Sequence, residues 1–268
     1  TYVVLSGLNE NMPAAVQLFE KLLADAQVNK EAYTNMTSDI LKARSDAKLN
    51  QGQNFSRLMS FAMYGPKSPA TNLLTEAELT NMNPQELVDR IHNQNSYKHR
   101  ILYYGPSSSK DLLATINQYH QVPATLKDIP AGNEYAYLET PVTKVLVAPY
   151  DAKQIYMAQI SNLDKKYDPA IEPIRALYDE YFGGGMNSIV FQEMRETRGL
   201  AYSAWASIMP PSYLKYPYVL RTQIATQNDK MIDAVTTFND IINNMPESEA
   251  AFKLAKDGLT NRLRTERI

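Results

Sequence analysis

The chain has 268 residues, 44% of them hydrophobic, enough to bury one or two substantial cores. Lys+Arg 27 against Asp+Glu 29 leaves a formal net charge of -2, so no basic footprint points to nucleic acid. No apolar run reaches the roughly 20 residues of a membrane span, and zero cysteines exclude disulfides and thiolate chemistry while saying little about compartment.

The chain opens on Thr1-Tyr2-Val3-Val4 with no methionine or signal pattern, directly in what reads as a strand over 2–5. That start points to a piece of something longer. Ala15, Val16, Phe19, Leu22 and Leu23 then recur at helical spacing. Asn83-Pro84-Gln85-Glu86 reads as a capping box with proline at the first helical position, opening a helix through Ile91. Arg100 to Tyr104 reads as a strand stopped by Gly105-Pro106. Ser108 and Asp111 cap a helix carrying Leu112, Leu113, Ile116 and Tyr119. From Gln121 to Thr143 periodicity fails, and Pro123, Pro130, Gly132 and Pro141 mark an interdomain linker over 122–142. Strands are expected over about 143–148 and 154–161. Asp168-Pro169 then begins a helix whose Ile171, Ile174, Leu177, Tyr178 and Tyr181 form one stripe.

The most informative stretch comes next. Gly183-Gly184-Gly185 makes a tight loop, and a short helix follows with Val190, Phe191 and Met194 on its apolar side and Gln192 and Arg195 projecting from another. Gly199 suits the left-handed position that ends a helix. Leu200 to Met209 then alternates as a strand, with Tyr202 near its start. Arg195 and Tyr202 can converge, and both are donors suited to an oxyanion or a peptide carbonyl. The glycines are not a phosphate cradle, because the P-loop lysine and its spacing are absent.

A strand at 218–220 and a final helical pair complete the chain. Ala234, Val235, Phe238, Ile241, Ile242 and Phe252 repeat the character of Ala15, Val16, Phe19, Leu22, Leu23 and Tyr33 at one offset (234 − 15 = 219). The reading is α+β: antiparallel sheets, each covered by helices on one face, in duplicated domains of which this chain holds parts of two copies. The back of one copy would occupy 1–121 and the front of the next 143–268.

Met194-Arg195-Glu196 and Gly199-Leu200-Ala201-Tyr202, after the glycine turn, resemble the signature of the insulinase/pitrilysin zinc metallopeptidases, the family of mitochondrial processing peptidase. The resemblance implies the half that does not hold the zinc. Arg195 and Tyr202 would contact substrate bound at the zinc of a catalytic half, on the same chain or a partner subunit. Gly183, Gly184 and Gly185 would form a substrate loop. It also implies duplicated domains and a chamber that encloses an extended peptide. The catalytic half carries H-x-x-E-H and a later glutamate. Only His92, His99 and His120 occur here, none at that spacing and all read as surface residues. By similarity the later glutamate falls near Ile40-Leu41-Lys42-Ala43, where Ala43 stands instead. No catalytic residue, metal ligand or cofactor is therefore expected in this chain alone; the zinc would belong to the catalytic half. Some of the 18 tyrosines, with Trp205, Tyr213, Tyr216 and Tyr218, could line a peptide-binding wall. Faces left uncovered where each repeat is incomplete would favour self-association. The competing reading is a degenerate peptidase-like scaffold or protein-binding module, like the respiratory-complex core proteins of this family.

Overall fold

A computed structural model describes residues 2–266. The elements in chain order are α1 (Met12–Ala24), α2 (Lys30–Lys48), α3 (Gln51–Tyr64), α4 (Glu76–Asn81), α5 (Gln85–His92), α6 (Ser109–Tyr119), β1 (Gln154–Lys166), α7 (Glu172–Phe182), α8 (Ile189–Phe191), β2 (Ser203–Met209), β3 (Pro217–Gln227), α9 (Met231–Asn243) and α10 (Glu249–Thr265). A π-helical turn, Gln192–Thr197, continues α8. The chain divides into two compact units, 1–45 with 74–133 and 46–73 with 134–268.

The first unit is helical. α1 packs against α5 and α6, and Val16, Leu79 and Val88 are its buried aliphatic residues. Its helix starts are fixed locally. Thr75 and Glu78 form a reciprocal capping box at α4, the Asn83 side chain accepts from the Gln85 amide at α5, and Ser108 Oγ accepts from the Asp111 amide at α6. The Tyr33 hydroxyl donates to the Leu79 carbonyl and ties α2 to α4.

The second unit holds one antiparallel sheet in the order β1-β3-β2. Met157, Ile224 and Ala204 stand in one row of the register and pack with Phe182, Val190, Met194 and Phe238 into the main core. Side chains alternate across a strand, so Tyr156, beside Met157, points to the opposite face. There it meets Phe55 of α3 edge-on, with ring centroids 5.6 Å apart. The sheet is thus covered on both faces, rather than on the single face expected.

The pair of duplicated sheets gives way to one sheet among the described residues. Segments 2–5, 100–104 and 143–148, all expected as strands, form no regular element and join no ladder. Leu102 stays 91% exposed and Val145 83%; alternating apolar residues favour extension, but only hydrogen bonds to a neighbour make a strand. What does recur is helical. α1 and α9 begin and end at the same offset as the apolar pattern (231 − 12 = 219; 243 − 24 = 219). Amphipathic periodicity specifies a helix and its buried side without specifying a second sheet beneath it.

Candidate functional site

The Gly183–Tyr202 stretch is built by close approach. A Cβ on Gly183 would lie 2.2 Å from the Ala206 carbonyl oxygen and 2.4 Å from its amide nitrogen, so only glycine lets the end of α7 rest on the β2 backbone. A Cβ on Gly184 would lie 2.7 Å from the Asp179 carbonyl oxygen. The Gly185 carbonyl accepts from both the amide and the hydroxyl of Ser188, at 3.0 and 2.6 Å. Ser188 then caps α8 through the Phe191 amide. Ile189, Val190 and Met194 are buried, which matches the expected apolar side except that Phe191 is only half-buried.

The expected short helix is regular for Ile189–Phe191 and then widens into the π turn. The Met194 carbonyl accepts from the amides of both Leu200 and Ala201, at 2.8 and 3.2 Å. Gly199 takes φ +57 as expected and its amide reaches the Arg195 carbonyl at 3.1 Å. Thr226 Oγ1 donates to the Leu200 carbonyl at 2.6 Å, Lys230 Nζ to the Gly199 carbonyl at 3.0 Å, and the Tyr202 amide to the Ala225 carbonyl at 2.8 Å. The segment that leaves the turn is therefore moored to the end of β3 and to Lys230 just beyond it.

This mooring brings Arg195 and Tyr202 together. The guanidinium carbon sits 5.5 Å from the centre of the Tyr202 ring and 5.1 Å from that of Phe191, a cation–π arrangement. Glu196 is a weak partner at 3.6 Å, and Arg198 is held by Glu193 at 3.1 Å instead. Tyr202 is 70% exposed and the Arg195 side chain 45%. Two donors, one from the π turn and one just before edge strand β2, are thus exposed side by side.

The other aromatic candidates separate. Tyr218 is 1% exposed, and its hydroxyl donates to Glu172 Oε1 at 2.6 Å, so it belongs to the core and not to a wall. Tyr213 and Tyr216 meet edge-on, and Tyr216 and Lys215 both bond Glu134, which holds that carboxyl below its usual range. Trp205 lies under the guanidinium of Arg221, 5.1 Å away, a neighbour that strand alternation alone could not pick out.

His92 and His99 lie on the surface, as expected, while His120 is partly buried. His99 Nε2 lies 2.8 Å from His120 Nε2, His120 Nδ1 lies 2.7 Å from Glu20 Oε1, and His99 Nδ1 lies 2.7 Å from the Tyr97 carbonyl. Asn95 Nδ2 donates to the second oxygen of Glu20 at 2.8 Å. His120 and Glu20 are mostly buried, with side chains 13% and 16% exposed. Each ring thus has Nδ1 on an oxygen acceptor and turns Nε2 toward the other ring. Among the described residues no three His, Asp or Glu side chains are grouped to hold a metal, and no helix is long and apolar enough to cross a membrane.

The sequence matches the family described as "Peptidase M16 inactive domain" over residues 101–259. No curated protein matches it. Among solved structures, a peptidase M16 inactive domain from Pseudomonas fluorescens is similar with a TM-score of 0.63 at 16% identity, covering 94% of this chain and 61% of that one. The periplasmic protease PqqL from Escherichia coli is similar with a TM-score of 0.69 at 14% identity over 95% of this chain, and a protease from Helicobacter pylori with 0.67 at 12% over 96%. The present chain spans 28% and 63% of those two structures. At these identities the likeness is one of fold.

Proposed function

Because the chain belongs to the family of peptidase M16 inactive domains, we propose that it forms one wall of a peptide-binding chamber and lends Arg195 and Tyr202 to a zinc site on another domain or subunit. The observation that carries this reading is the exposed Arg195–Tyr202 pair, 5.5 Å from guanidinium to ring centre, with Tyr202 fastened to β3 by its backbone amide. A side chain kept for packing would be covered; Tyr202 is not. The zinc would polarise the scissile carbonyl from the other half, while this chain's guanidinium and phenol would donate to the charge growing on its oxygen. Donors held in place before the reaction need no reorganisation during it. Gly184 and Gly185, the accessible part of the glycine loop, are further substrate contacts in this reading. The uncovered apolar segments at 2–5, 101–104 and 145–147 fit pairing with the zinc-bearing half, or with a second copy when that half is absent.

The test is kinetic and uses the complete enzyme. Tyr202→Phe keeps the ring, and Arg195→Lys keeps the charge without the planar fork. Each is expected to lower kcat by about 10²–10³ at an unchanged melting temperature. Near-native kcat/KM in both variants would decide for the scaffold reading.

A further inference from the structure

Arg221 stands in the middle strand on the face that α3 covers, in the register row of Ile160 and Ser207. Ser56, Met59, Ser60 and Met63 fall at i, i+3, i+4 and i+7 and so share one side of α3. With Pro69 they line an open depression of about 490 Å³ that Arg221 also lines.

The guanidinium is well placed and poorly satisfied. Trp205 supports its plane from 5.1 Å, and among the described residues its side chain makes one hydrogen bond, a long one of 3.4 Å to Gln223 Oε1. Arg221 Nε is buried without a partner, and no carboxylate pairs with the side chain among the described residues. Burial depresses its pKa, opposed only by charge on Tyr137. Charges withdrawn from water are ordinarily paired and hydrogen-bonded. The free fork of an arginine matches a carboxylate in two parallel bonds. Met59, Met63 and Pro69 offer apolar wall beside it, and the two serines add hydroxyls.

We propose that this depression binds the C-terminal residue of a peptide, with Arg221 on the free carboxylate and an apolar side chain against Met59 and Met63. The choice of a peptide as ligand rests on the chamber reading above; the preference for a carboxylate rests on Arg221 alone. Trp205 is the chain's single tryptophan, so its fluorescence reports on the site. The 268-residue protein is titrated with N-acetyl-Ala-Ala-Leu, with its C-terminal amide, and with an amidated peptide carrying an internal glutamate. The free acid should change the emission saturably, and both amides should bind at least about tenfold more weakly, the scale of losing one charge-assisted pair. Arg221→Gln should lose that preference and Arg221→Lys should recover part of it, with far-UV circular dichroism and melting temperature recorded for each. Equal binding of acid and amide by the unmodified protein would overturn the proposal whether or not the variants fold. So would native-like acid binding by a folded Arg221→Gln, or equal binding of the glutamate peptide, which would assign the site to acidic side chains instead. Because this experiment reads binding to the chain itself, it can fail while the turnover test on Arg195 and Tyr202 succeeds, and the reverse.

Discussion

On one side of α7, Arg175 bridges two acids whose surroundings push them in opposite directions. It donates to Glu172 at 3.0 Å and to Asp179 at 2.6 Å. Glu172 is held below the usual carboxylate range, chiefly by the Tyr218 hydroxyl and then by Arg175, against the cost of burial. Asp179 is pushed up by burial, although the Ile208 amide, Ser207 and Arg175 all favour its charged form. The two therefore act on stability with opposite signs. A lowered folded-state pKa means that Glu172 contributes above its ordinary value of 4.5, and that this contribution is lost as pH falls through the lower folded value. A raised one means that Asp179 favours the folded state most when protonated. Glu172→Gln is expected to lower the melting temperature most at neutral pH, the gap from the native protein closing as pH drops below 4.5. A gap that stayed constant through acid pH would mean that Tyr218 and Arg175 hold Glu172 by shape alone.

The glycines at the two ends of the signature act differently as parts of an element. Gly183 is required by space, since its Cβ would strike main-chain atoms of Ala206 that cannot turn aside. Gly199 is required by conformation, with φ +57 and nothing within 4 Å of an added Cβ. Gly199→Ala should cost about 1–2 kcal/mol, the left-handed penalty alone, and Gly199→Asn less. Gly183→Ala should cost about 3 kcal/mol or more, because overpacking here falls on backbone. Chemical denaturation of the three variants checks the order. The sequence announced Gly199 because helix stops have a local grammar, and it announced the convergence of Arg195 and Tyr202 because both sit within a turn of that stop. β1, β2, β3 and α7 were legible for a similar reason, each carrying its own periodicity. α3 was not anticipated, although Phe55, Met59, Ala62 and Met63 recur at helical spacing; its place opposite Tyr156 is set by contacts about a hundred residues away. The same distance hid Arg221, since a strand arginine reads as solvated until the covering helix is known. The His99–His120–Glu20 chain escaped for want of any spacing rule that joins α1, a loop and the end of α6.

At the scale of the whole molecule, the units interleave along the sequence. The chain leaves the first unit after Ser45, returns at Leu74 and leaves it again after Asn133. α3 is therefore synthesised about ninety residues before β1, the strand whose Tyr156 it meets. Until β1 emerges from the ribosome, Phe55 lacks the ring it meets in the folded chain. The same lacing bears on proteolysis. A protease site placed at Gly132 would leave an amino-terminal product that still contains α3 and a carboxy-terminal product that contains the sheet α3 packs on. The two products should co-elute on native size exclusion and part only on a denaturing gel; separate native peaks would show that α3 contributes little grip. A cut between the units in sequence would thus leave them joined, because each product carries part of the second unit and the bond that holds them is no longer a covalent one.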